Sequence, residues 1–397
     1  MAEPNANANM PVPLLDVARG NGPLKAEFMA AFEAILDHGR FLFGPEVAAL
    51  EKSIAEHCGA KHAIGCASGS DALLLALMAY DIGPGDEVLC PSFTFFATAS
   101  AATRLGATPV FVDIEPEHFL MDVADLEKKI TPKTKAIIPV DLFGQCADME
   151  PIMALAKDRG IPVIEDACQA IGAGYGVKMA GALSEVGCLS FYPTKNLGGF
   201  GDGGMLTCND DELAQRLRLF AAHGMSPRYY HQVVGINSRL DTIQAALLGI
   251  KLKKLDAWTE ARRQNAALYD QLFRAHGVDQ HLTLPAEAPG RSHVWNQYTV
   301  RVPGGRRDAL KSHLASHKIG SEIYYPVALH QQKCYANLGY GAGSLPETER
   351  AAAEVLSLPV FPEMTGQELT VVVKSVSEFC AKTGKVEAPS TSVRRAA

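Results

Sequence analysis

From about residue 13 to about residue 380, two hydrophobic patterns take turns along the chain. One is short and almost wholly apolar: "HAIGCAS", "DEVLCPS", "TPVFVD", "KAIIPVDL", "IPVIEDA" and "GGMLTCN". The other is longer, with apolar residues every three to four positions, as in "AEFMAAFEAILDHG" and "PEVAALEKSIAEHCG". The first predicts strands buried on both faces, and the second predicts amphipathic helices. Their strict alternation predicts an α/β fold whose mostly parallel central sheet is flanked by helices. Crossovers in such a sheet are right-handed, and ligands collect beyond the carboxyl ends of its strands.

Past residue 195 the pattern loosens. Helices are predicted over "DELAQRLRLFAAHG", "LDTIQAALLGIKLKKLDAW" and "EARRQNAALYDQLFRAHG". A smaller α+β segment follows, with strands "NQYTVRV" and "SEIYY", helix "RDALKSHLASHKIG" and a closing helix near "GQELTVVVKSVSEF". The expected organisation is a large domain over 13–260 and a small C-terminal domain over 261–383, with disordered tails at 1–12 and 384–397. A length of 397 residues suits such a pair of domains better than a single core.

Composition removes several function classes. A formal charge of −7 gives no reason to expect a nucleic-acid or anionic-membrane partner. The local cluster Lys251, Lys253 and Lys254 reads as the solvated face of a helix. Nine dispersed cysteines, without C-x-x-C spacing, argue against disulfides and a metal site. No signal peptide and no long apolar span is read, so the expectation is a cytoplasmic protein.

The strand ends carry the chemistry. In "ASGSDALLLAL" a helix is expected to start around Ser70, where exposed amides and the helix dipole favour an anion. Gly69 permits close approach, and Ser70 is either a donor to that anion or an ordinary N-cap. Asp166 closes the apolar run "PVIED", where a carboxylate calls for a protonated ring nitrogen, a metal (for which the neighbouring residues offer no ligand set) or satisfaction by backbone amides, and Gln169 lies just beyond it. Phe95, in "PSFTFFATA", is either a stacking surface for a flat ring or a core residue. In "SFYPTKNLGGFGDGG", Ser190 precedes Lys195, and a glycine-rich stretch follows it. An anion site, a buried acid, a flat side chain and a nucleophilic amine at one sheet edge match the phosphate, ring nitrogen, ring and aldehyde of pyridoxal 5′-phosphate.

With "HGRFLFGPEVAALE" and "GINSRLDTIQAA" added, these segments resemble the DegT-type nucleotide-sugar aminotransferases, fold-type I pyridoxal-phosphate enzymes. The resemblance implies that Lys195 binds the cofactor aldehyde and that Asp166 keeps the ring nitrogen protonated. It implies that Gln169 meets the ring hydroxyl, that Phe95 stacks on the ring, and that Gly69, Ser70 and Ser190 hold the phosphate. Asn237 matches an asparagine that reaches the phosphate from a neighbouring subunit, which implies a homodimer with shared active sites.

Among subgroups, the chain is most similar to enzymes that aminate C3 of UDP-2-acetamido-2-deoxy-3-oxo-D-glucuronate for cell-surface polysaccharide, with L-glutamate as donor. There Arg239 would meet the sugar carboxylate, or else serve as a structural ion pair. The segment "YYPVALHQQ" is shared with members acting on dTDP-3-oxo-6-deoxy sugars, which would put Tyr325 and His330 beside the sugar, His330 being alternatively a surface residue; such a sugar, or a 4-keto nucleotide sugar, is the alternative substrate. Asp141 stands where many members carry histidine. Some relatives have histidine in place of the lysine and dehydrate instead; Lys195 favours transamination. A regulatory role is the reading from another class, and no basic recognition helix supports it.

Overall fold

A computed structural model describes residues 10–383, so the expected tails lie almost wholly outside the described residues. Seven strands form the central sheet: β1 (His62–Cys66), β2 (Glu87–Pro91), β3 (Thr108–Val112), β4 (Thr134–Ile137), β5 (Ile164–Asp166), β6 (Val186–Ser190) and β7 (Gly204–Cys208). Their spatial order is β3-β2-β4-β5-β6-β7-β1, the middle junction being made by the parallel bridges Ile137–Val163 and Val140–Asp166. Every junction from β3 to β6 is parallel, and only β7 runs against both its neighbours. The mostly parallel sheet read from the sequence is therefore present.

The strand residues sort themselves between two cores, as a period of two requires. Ala63, Leu89, Leu189 and Met205 face one cluster with Leu50, Ile54, Ile152 and Leu248. Their neighbours Ile64, Cys90, Cys188 and Leu206 face the other, with Leu73, Leu77, Phe111 and Leu217. Both faces are covered, which is why these strands are written in unbroken apolar residues. All nine cysteines are unpaired, and seven are buried.

A separate core unites the long helix Leu255–Ala275, the helix Arg307–Ser316 and the closing helix Gly366–Thr383 around the antiparallel pair Tyr298–Arg301 and Val355–Leu358. Stacked Tyr269 and Phe273, with centroids 5.4 Å apart, lie at its centre. Two details depart from the sequence reading. Val12, expected in a disordered tail, is 1% exposed and bridges Ile319. The run "SEIYY" makes a single bridge, Glu322 to Ser357, and the partner strand comes instead from "VLSL", which the sequence hides behind the helix Pro346–Glu354. Late residues also return to the first half: Leu329, Tyr335 and Leu345 join the core of the central sheet. There the Tyr340 hydroxyl accepts from the Phe111 amide at 2.9 Å.

Candidate active site

The carboxyl ends of β1, β2, β5 and β6 and the start of β7 surround a cavity of about 570 Å³, a size suited to a cofactor. At one end, helix Gly69–Ala79 begins. Its cap is Ser68, whose Oγ accepts from Asp71 N at 3.1 Å. Ser70 is thereby released from capping, and it lines the cavity beside Gly69 and Ser190. A Cβ on Gly69 would lie 2.7 Å from Ser190 Cβ and 2.9 Å from Cys168 Sγ, so only glycine lets this turn close onto β6. The result is a helix N-terminus with two hydroxyls beside it, a cradle for a dianion.

Deeper in, Asp166 is 5% exposed. Its Oδ2 accepts from Thr98 Oγ1 at 2.8 Å and its Oδ1 from Cys168 N at 3.3 Å. Among the described residues it has no ion-pair partner within salt-bridge distance. A carboxylate so buried and without an ion-pair partner is suited to face a cationic group in the cavity. Lys195 lies in the same cavity, its amine held below the ordinary lysine range by burial, which outweighs the pull of Cys168 and Asp166. Burial, reinforced by the Asp166 charge, pushes the Cys168 thiol well up, so that group stays neutral.

Opposite, the Gln169 amide is fixed at both ends. Its Oε1 accepts from Phe143 N at 2.7 Å, and its Nε2 donates to the Tyr325 hydroxyl at 3.2 Å. One Nε2 proton is left for a ligand. Phe95, 56% exposed, stands at the rim with its ring 6.2 Å from that of Tyr325, a flat apolar face open to the cavity.

The turn that carries Lys195 is held from behind. Lys195 N donates to Tyr192 O at 2.9 Å, and Gly199 N to Phe191 O at 2.8 Å. Helix Thr242–Leu252 adds two anchors: Gln244 Oε1 accepts from Phe200 N at 2.8 Å, and Lys251 Nζ donates to Gly198 O. Lys251 is 4% exposed, between the Phe200 and Trp258 rings, and burial lowers its pKa to about 8. The solvated-face reading of this lysine is therefore wrong. The helix breaks at Lys253 and Lys254, so Lys251 ends it on the packed side.

Three expected residues stand apart from the cavity. Asn237 is exposed and bridges Ala222. Arg239 lies over the Phe43 ring at 5.8 Å, in a second cavity of about 380 Å³. His330 is neither a surface residue nor a lining one. It is 2% exposed, with Nδ1 2.7 Å from Ser92 Oγ and Nε2 3.3 Å from Glu349, so both ring nitrogens serve the fold. Asp141 is likewise fully buried, beside Glu165 rather than in the cavity. Sequence reasoning passed over Thr98 and Cys168. The only signals were a polar residue in the helix after Phe95 and a thiol two positions beyond Asp166.

Pyridoxal 5′-phosphate fits this donor set: anion cradle, unpaired buried acid, free amide proton, open aromatic face and half-buried amine. Comparison with known proteins points the same way. The profile of the DegT/DnrJ/EryC1/StrS aminotransferase family matches residues 23–377. A pleiotropic regulatory protein of Geobacillus stearothermophilus is 50% identical over 93% of this chain and 99% of its own. UDP-N-acetyl-3-dehydro-α-D-glucosamine 3-aminotransferase of Acidithiobacillus ferrooxidans is 45% identical over 91% and 96%. UDP-2-acetamido-2-deoxy-3-oxo-D-glucuronate aminotransferase of Pseudomonas aeruginosa is 41% identical over 92% and 99%. The solved structure of DesV from S. venezuelae superposes with a TM-score of 0.90 at 43% identity, covering 93% of this chain and 98% of that one.

Proposed function

The chain belongs to the DegT/DnrJ/EryC1/StrS aminotransferase family, pyridoxal-phosphate enzymes, and on that premise we propose that it moves an amino group from L-glutamate to a nucleotide-linked keto sugar. The observation that carries the reading is Lys195 and Asp166 on one cavity, with Phe95 at its rim. When bound, the cofactor supplies an aldehyde for the substrate nitrogen and a cationic ring that takes up an electron pair. Asp166 holds the proton on the ring nitrogen. Lys195 Nζ, its pKa lowered by burial, would take a proton from the donor's Cα in the first half-reaction and would deliver one to the former carbonyl carbon of the sugar in the second. Gly69, Ser70 and Ser190 hold the phosphate, and Gln169 meets the ring hydroxyl.

For the substrate, we favour C3 of UDP-2-acetamido-2-deoxy-3-oxo-D-glucuronate. Two relatives named for UDP-linked 3-oxo sugars support this, and Arg239 could form a bidentate pair with a carboxylate. A dTDP-3-oxo-6-deoxyhexose is the second reading, supported by a relative at 44% identity named for a dTDP-3-amino sugar. Arg239 and Asn237 would act across a homodimer interface. Phe43, exposed and under the Arg239 guanidinium, and the exposed Phe41 two residues before it favour such contact.

The test is direct. Borohydride reduction of the loaded protein should leave the cofactor on the peptide containing Lys195, glutamate should yield 2-oxoglutarate, and Lys195→Ala should abolish both. An unlabelled peptide in fully loaded protein would overturn the assignment. A UDP- and dTDP-keto-sugar panel then distinguishes the substrates. The regulatory name borne by one relative is addressed by the same samples: DNA binding without turnover would favour it.

A further inference from the structure

We propose that His313, His317 and Glu378 form a binding site for a borderline divalent transition-metal ion of the Zn²⁺ class, apart from the Lys195 cavity. His313 sits in the last turn of helix Arg307–Ser316, and His317 caps it. Four residues apart, they share one helix face, the spacing of paired histidine ligands. Glu378 faces them from the closing helix Gly366–Thr383, packed alongside. One donor atom from each of the three lies within 4.8 Å of the others.

The hydrogen bonds set the tautomers in favour of a metal. His313 Nε2 lies 2.9 Å from the carbonyl oxygen of Ser375, and His317 Nδ1 lies 2.9 Å from that of His313. A carbonyl can only accept, so each of these nitrogens carries the proton. The other nitrogen of each ring is left with a free lone pair. This is the arrangement by which backbone carbonyls orient metal-binding histidines. The ring centroids lie 4.4 Å apart with the planes tilted by 46°, and Glu378 is in no ion pair among the described residues.

Two imidazoles and a carboxylate suit Zn²⁺, Ni²⁺ or Cu²⁺ better than Mg²⁺ or Ca²⁺, which prefer oxygen. Metal–donor bonds of about 2.0–2.1 Å put tetrahedral donors about 3.3 Å apart, so side-chain rotation of roughly 1 Å draws the three together. Lys382, one turn beyond Glu378, opposes a cation electrostatically and weakens the site. A bound ion would clip the closing helix to helix Arg307–Ser316.

The experiment is calorimetric titration of the full-length, cofactor-loaded, EDTA-treated protein with ZnCl₂. The expected result is one equivalent bound at micromolar concentration, with a higher melting midpoint. The double variant His313→Gln/His317→Gln should bind at least tenfold more weakly and lose the melting shift, while keeping its cofactor absorbance as a check on folding. Lys382→Gln should bind more tightly. Unsaturable binding up to about 100 μM in the wild type, or undiminished binding by the folded double variant (a metal held elsewhere, as on exposed Cys334), would overturn the site.

Discussion

Thr98 donates its hydroxyl proton to Asp166 across 2.8 Å, joining the helix after β2 to the acid at the end of β5. A hydrogen bond to a charged acceptor contributes about 1.5–3 kcal/mol. Thr98→Val keeps the shape and removes that donor, so the carboxylate turns less firmly toward the ring nitrogen. Cofactor dissociation, followed by absorbance on dilution, should be about tenfold faster, with Thr98→Ser restoring most of the difference.

Gly69→Ala puts a methyl group 2.7 Å from Ser190 Cβ, inside contact distance. The turn between Gly69 and Ser190, the proposed phosphate cradle, must open to accept it. Affinity for pyridoxal phosphate should fall at least tenfold, whereas affinity for phosphate-free pyridoxal, which does not use the cradle, should change little. Equilibrium dialysis with the two compounds measures the contrast.

Lys251→Met keeps the stem between Phe200 and Trp258 and removes the donor to Gly198 O. An unpaired buried carbonyl costs about 1–3 kcal/mol. Thermal unfolding should start lower by a few degrees. The turnover number should fall more than the KM for glutamate rises, since the turn beneath Lys195 moves while the substrate contacts stay.

Asp141 and Glu165 predict a pH dependence of stability. Both are fully buried. Glu165 accepts from the Gly181 and Leu183 amides at 2.7 and 3.0 Å, whereas Asp141 accepts one amide, Ala147 N at 2.8 Å, and its carboxyl hydrogen-bonds to Glu165. The proton therefore resides on Asp141, whose pKa burial and the Glu165 charge push well above 3.8. A carboxyl raised on folding makes the native state bind more protons than the unfolded chain. Its stabilisation is complete below the unfolded value and is lost as pH rises through the folded one. Asp141→Asn supplies a permanent N–H to Glu165, so melts from pH 5 to 9 should show a flatter slope and a higher midpoint at the alkaline end.

The gathering of Lys195, Asp166, Gly69, Ser70 and Ser190 on one cavity was legible because each closes or follows an apolar strand, and strand ends in a parallel sheet converge. Thr98 was not, since it sits in a helix, its partner lies 68 positions away at the end of a strand, and nothing local marks the pairing. Lys251 was misread although the pattern held the clue: Leu248 and Lys251 share the packed face of their helix, one turn apart. His330 was read as a site residue from its neighbours in the segment. Its burial depends on Ser92, which sequence spacing cannot supply. The strand Val355–Leu358 escaped because an alanine-rich helix runs straight into it.

The return of Leu329, Tyr335 and Leu345 to the central core bears on how the protein is made. While the nascent chain emerges, the flank of Phe111 and its neighbours has no cover until the last quarter has left the ribosome. Cutting the polypeptide near residue 260 would lay bare the oily side chains that Leu329, Tyr335 and Leu345 cover, the kind of surface that draws chaperones during synthesis.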